Sequence, residues 1–263
     1  MTTTAPRLLA RPRVFLALAL AGMVALAWAY LVWMALEMGR AGEVGCYHCA
    51  AMPGMGSSAA TYFAWLVAMW SVMMLAMMLP TTVPMLVLHG RIQRVRGGGA
   101  GDGSAVSTLH LAGGYFVVWT GFAVLASGLQ WLCERGAILT PVMGEIRSPL
   151  VGGLVLAGAG LFQLSPLKQA CLNRCRTPLG YFMTRWRDGR RGALVMGFEH
   201  GLSCLGCCWA LMLVMFVAGV MNVLWMVGLT VFMMLEKLVP RGEWLARAAG
   251  LGLVAAGLYV AVG

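Results

Sequence analysis

The sequence predicts an all-α polytopic membrane protein, and three observations carry that expectation. First, 60% of its 263 residues are apolar and only 11% are charged, where a soluble domain carries roughly 25% charged residues. A chain so poor in charge cannot cover a water-facing surface. Second, the apolar residues gather into seven runs, at about 14–36, 62–88, 108–132, 150–167, 193–219, 222–239 and 244–262. Most are close to the roughly 20 residues that cross a bilayer as a helix. Third, the basic residues occupy alternate gaps between the runs. The mean hydropathy of +0.82 agrees. Disorder and collagen-like structure are excluded, because charge is scarce and the 35 glycines show no three-residue period.

The elements follow in order as one membrane domain over 1–263, beginning with a basic tail at 1–13. Arg7, Arg11 and Arg13 precede the first run. That run holds Trp28, Tyr30 and Trp33 and lacks a clean small-x-small cleavage site, so it reads as a retained span, not a signal peptide. The second run contains Met69, Met73 and Met77 along one slowly drifting helical stripe, then Pro80. Proline frees the carbonyl four residues back, that of Ala76, and is expected to kink the helix, which is tolerable only where protein or polar side chains restore the bond. Gly97 to Ser104 reads as a flexible linker and lacks the Lys-Ser/Thr ending of a phosphate-binding loop. The fourth run leads into a Cys- and Arg-rich stretch. The fifth carries a His-Cys face. The sixth runs from Asn222 to Glu236-Lys237, two charges that read as an interfacial pair, and the seventh closes the chain.

Of the 19 Lys and Arg, all but Arg40, Arg135 and Arg147 precede run one, follow runs two and four, or flank the gap between runs six and seven. The positive-inside rule then places the N-terminus in the cytoplasm, with seven spans and the C-terminus outside. The arginines are topology signals and not a nucleic-acid surface. The lipid bilayer is the expected partner.

Eight Cys and 21 Met carry the chemistry. One group lies in an outer loop: Cys46, His48 and Cys49, followed by Met52 and Met55. Thiolate and thioether donors favour Cu(I), while a Cys46–Cys49 disulfide is the alternative in an oxidising compartment. The second group lies within the fifth run: Glu199, His200, Cys204, Cys207 and Cys208. At about 100° per residue, Cys204 and Cys207 stand at about 40° and −20° from His200, on one face. Cys208 leaves that face by about 80°, and Glu199 by about 100°. Ala193 and Gly197 lie near the same face, small enough to admit a neighbouring helix. A His-Cys-Cys face can hold a soft ion, with Met73 or Met77 from an adjacent helix completing the site. It can equally act as a C-x-x-C dithiol carrying electrons. Glu199 is an ionisable residue within a span, a candidate proton relay. The third group, Cys171 and Cys175, reads as cytoplasmic and as i, i+4 neighbours on a continuing helix. Such a pair binds an ion readily and forms a disulfide awkwardly. The three groups are expected at three depths, and Cys133 stands alone on the outer side.

Several of these segments resemble a known family. They are Trp70 to Pro80, Leu167-Lys168, Cys171-Leu172, Cys175-Arg176, Gly201 with Cys204-x-Gly206-Cys207-Cys208-Trp209, Met221-Asn222 and Glu236-Lys237. The likeness covers about residues 60–240. It is to an uncharacterised bacterial family of predicted metal-binding integral membrane proteins with a G-x-x-C-x-G-C-C-W signature. The resemblance implies a multi-pass protein of the bacterial inner (plasma) membrane and metal binding. It supplies no substrate.

Two functional classes stay open, with a third behind them. One is a non-enzymatic protein that binds a copper ion, or another soft metal ion, for transport or for delivery to a metalloenzyme. Its partners would be a metallochaperone or a membrane metalloenzyme. The second is a thiol–disulfide electron conduit across the membrane. The third is an accessory subunit of a membrane complex. Met wealth favours metal, since thioethers cannot exchange disulfides.

Overall fold

The structure is a computed structural model and describes residues 12–43, 58–96, 103–140 and 144–262. Among these residues the chain is helical, with one isolated bridge pairing Leu139 and Ile146. The helices are α1 (Pro12–Glu43), α2 (Ala59–Arg96), α3 (Gly103–Arg135), α4 (Pro149–Leu164), α5 (Pro166–Arg176), α6 (Pro178–Arg185), α7 (Gly189–Ala218), α8 (Val223–Leu238) and α9 (Gly242–Val262). The segment with Cys46, His48, Cys49, Met52 and Met55 lies outside the described residues, as do residues 97–102 of the expected linker.

Five helices are long and apolar enough to cross a membrane: α1, α2, α3, α7 and α9. The α4–α5 pair passes the same test only as a unit, bent by 63°. The expected fourth run is therefore two helices, and the reason is local. Pro166 has no N–H to continue the α4 ladder, and Ser165 turns extended (ψ 148) and caps α5 by accepting from the Lys168 N–H at 3.2 Å. A second proline, Pro178, stands at the start of α6, where Thr177 makes no side-chain cap bond. Helix α8 has 16 residues, about 24 Å of rise, which is short of a full hydrocarbon core.

Helices α2, α3 and α7 form the centre. A Cβ on Gly197 would fall on the Leu111 backbone carbonyl, and one on Gly114 on that of Leu194. Only glycine lets α3 and α7 meet backbone to backbone, as small residues do at membrane helix crossings. Helices α4 and α9 make a second close pair, Gly153 against Gly257 and Gly160 against Gly250. The main core joins Leu31, Met69, Trp70, Met73, Met74, Met77, Tyr115, Trp119, Cys204, Cys207 and Met212, all buried. Pro80 sits inside a continuous α2, and the Ala76 carbonyl it frees accepts a hydrogen bond from the Trp28 indole of α1 at 3.2 Å.

The sixth-run charges behave differently from the expected interfacial pair. Glu236 is 2% exposed and bonds Lys168, itself wholly buried, at 2.9 and 2.8 Å, with the Gln163 amide adding a third bond at 3.1 Å. Lys237 turns to a different neighbour. Consecutive helical residues project about 100° apart, so each meets its own partner.

Candidate metal centre

The bend at Ser165-Pro166 decides the site. It turns α5 back along α7 and carries Cys175 to the fifth-run cysteines. The Sγ atoms of Cys175, Cys204 and Cys207 all lie within 4.8 Å of one another, with Cys204 and Cys207 buried and Cys175 partly so. At a sulfur–metal bond of about 2.3 Å, three sulfurs around one ion stand about 4 Å apart. The set therefore accommodates a three-coordinate soft ion with little adjustment. Three thiols and no carboxylate make it a soft donor set. The expected separation of the cysteines into three depths is corrected here, because Cys175 joins the mid-helix group.

Around this trio the remaining residues divide. Cys204 Sγ shares a 3.1 Å hydrogen bond with the Tyr115 hydroxyl of α3 and accepts one of 3.1 Å from Lys237 Nζ of α8. Lys237 Nζ also donates to Thr81 Oγ1 at 3.0 Å. A cation thus stands against the sulfur cluster. The Cys207 and Cys208 thiols both donate to the Cys204 carbonyl, at 3.0 and 2.9 Å. Met73 and Met77 are fully buried in the same core.

His200 lies one turn before Cys204 and outside the sulfur trio. Its ring tilts against Tyr115 at 5.8 Å and meets Tyr181 edge-on at 6.1 Å, and Nδ1 has no hydrogen-bond partner among the described residues. Glu199 is held in an ion cluster, accepting from Arg185 at 3.3 Å, Arg187 at 3.2 Å and the Tyr181 hydroxyl at 3.2 Å. Burial, then the adjacent carboxylate, hold the Tyr181 phenol well above its usual range, so it stays a donor.

Cys171 occupies a separate position, one turn before Cys175. Its Sγ lies 2.8 Å from where a Cβ on Gly206 would stand, so the glycine opens the surface of α7 to this sulfur. Cys171 also lines a cavity of about 480 Å³ with Arg174, Tyr181, Arg185, Glu199 and Ser203.

Lys237, Tyr115, Thr81 and Gly206 were not singled out by sequence reasoning for this site. Lys237 carried a faint signal, a cation ending an apolar run; Tyr115 carried none.

A helical bundle with a largely buried three-thiol site defines a class: a helical protein of membrane-spanning character with the donor set of a soft-metal binder. The comparison of sequences agrees, since residues 67–260 match the model of the PpoB2 family, described as copper chaperones. The chain belongs to that family. No curated protein and no solved structure matches it.

Proposed function

We propose that the protein holds Cu(I) at Cys175, Cys204 and Cys207 in the inner membrane of a bacterium and hands it on, by transport or by delivery to a metalloenzyme. The single observation that supports this most is the trio of sulfurs from two helices within 4.8 Å, in a member of a copper chaperone family. Each thiol loses its proton on forming a sulfur–copper bond, so binding releases protons and weakens as the medium becomes acidic. No electron moves. The ion passes between similar soft donors without being set free, and Met73 and Met77 of the same core are the candidate relay on one side. His200 and Cys208 stand next to the trio as reserve donors, and Glu199 as a proton acceptor at its edge. On the outer side Cys46, His48 and Cys49 offer a second soft site.

The membrane arrangement that suits this task has seven crossings, the N-terminus in the cytoplasm and the C-terminus outside. The bent α4–α5 pair and the short α8 then count as one crossing each. The electron conduit is the weaker reading. Cys171 and Cys175 are an i, i+4 pair on α5, awkward to oxidise together, and thioethers take no part in disulfide exchange.

Copper content and X-ray absorption on the purified protein test the proposal. One copper per chain with two or three sulfur neighbours is expected. Cys175→Ser, Cys204→Ser and Cys207→Ser each lose the ion, and Cys208→Ser loses less. Full retention by the Cys204→Ser/Cys207→Ser double variant would refute it.

A further inference from the structure

Beside the sulfur trio lies the cavity of about 480 Å³ between α5, α6 and α7. That volume suits a ligand of small-molecule size, since such pockets run from roughly 300 to 1,000 Å³. Its lining is chemically uneven. Thr177, Thr184, Ser203 and the Tyr181 hydroxyl supply neutral polar groups. Arg185 and Glu199 are paired with each other, and Arg187 adds a second cation to the same carboxylate. Arg174 lies within electrostatic reach of the Cys171 sulfur. The wall is therefore net cationic, and a thiol stands in it. Arg185 and Arg187 are more than half exposed, so the cavity opens to solvent on that side. On the other side, Cys171 reaches α7 over Gly206, the residue next to Cys207. From Cys171 to Cys175 is one helical turn, about 6 Å.

We propose that this cavity binds a small anionic thiol of roughly tripeptide size, the carrier from which or to which copper is exchanged, and that Cys171 is the exchanging sulfur. The proposal rests on the metal-centre reading for its purpose. The step is ligand exchange. A copper–sulfur bond forms at Cys171 as its thiol proton leaves, the carrier's copper–sulfur bond breaks, and the departing carrier thiolate takes up a proton. Copper stays Cu(I), and nothing is oxidised or reduced. The ion then moves one turn along α5 to Cys175 and the buried pair. The carrier's carboxylates are held by Arg174 and by the arginine-rich rim, and its sulfur faces Cys171. A cationic thiol meets repulsion at the same wall.

The test uses full-length protein in detergent, reduced and free of metal, with glutathione as the probe. Glutathione is expected to protect Cys171 from alkylation in a saturable manner. Cysteamine, which is cationic, is expected to protect at least tenfold less well at equal concentration. Arg174→Gln is expected to weaken glutathione protection severalfold. Lack of saturable protection, or equal protection by both thiols, overturns the proposal whether or not the trio binds copper. Loading is the second arm. In Cys171→Ser, uptake from the Cu(I)–glutathione complex should fall at least tenfold relative to uptake from Cu(I) in acetonitrile. An unchanged ratio also overturns it. Failure of the wild-type protein to take copper from either source defeats the metal-centre reading instead, and the protection assay still decides the cavity.

Discussion

If the site holds Cu(I) as proposed, three thiolates around it would carry about two net negative charges, and an anion of that kind inside an apolar bundle needs a counter-charge. Lys237 supplies one, 3.1 Å from Cys204 Sγ and tied back to Thr81. Such a loaded site would be more negative than the protonated one, so the ammonium would stabilise the loaded form more. Lys237→Met keeps the stem and removes the charge. Hydrogen bonds to charged groups contribute about 1.5–3 kcal/mol, so copper affinity is expected to drop by about 10- to 100-fold. Competition against a Cu(I) chelator measures it, and a change under about threefold would contradict the role assigned to Lys237. At this scale the sequence announced Cys204 and Cys207 by their shared helical face. It kept silent on Tyr115 and Thr81, whose roles depend on which helix stands opposite. Cys175 was legible as a soft donor, and its company was not.

Among the elements, two contacts are exposed to single substitutions. The α3–α7 crossing needs Gly197, where a methyl group would meet the Leu111 carbonyl, while Gly113 on the same α3 faces open space. Gly197→Ala is expected to lower stability by about 1–3 kcal/mol, the usual cost of overpacking, with Gly113→Ala close to neutral. Thermal unfolding in detergent compares them, and equal effects would mean the helices separate freely. The second contact is the buried pair of Lys168 and Glu236, which fastens α5 to α8. Removing one partner leaves an uncompensated buried charge, a loss of about 3–5 kcal/mol, whereas replacing both by apolar residues removes that penalty. Lys168→Met should therefore destabilise strongly, and Lys168→Met/Glu236→Leu should recover most of the loss. A double variant no better than the single would show that the ion pair is needed for the shape of the contact. Ala193 and Gly197 were readable as an approach surface because small residues recur on one face. The Ala76 carbonyl was readable as needing a donor, because proline leaves no choice; that Trp28 supplies it was not readable.

For the whole molecule, orientation is the quantity to measure. Reporter fusions should place positions near Gly99 and Arg187 in the cytoplasm, and positions near Met52 and Gly263 outside. A cytoplasmic Gly263 would mean an even number of crossings, with the short α8 or the bent α4–α5 pair not passing through. Membrane-spanning character, helical class and a soft donor set were legible in the sequence alone. They follow from composition, run length and donor type, which are properties of each residue and its near neighbours. Only the tertiary structure decided which donors share one site. The proline at 166 marks a break in the chain, but the 63° direction of the turn comes from packing against α7 and α8. That direction brings Cys175 from 29 positions away to Cys204 and leaves His200 facing two tyrosines. Helical periodicity reports what one helix shows on one side; it holds no information on which helix arrives there.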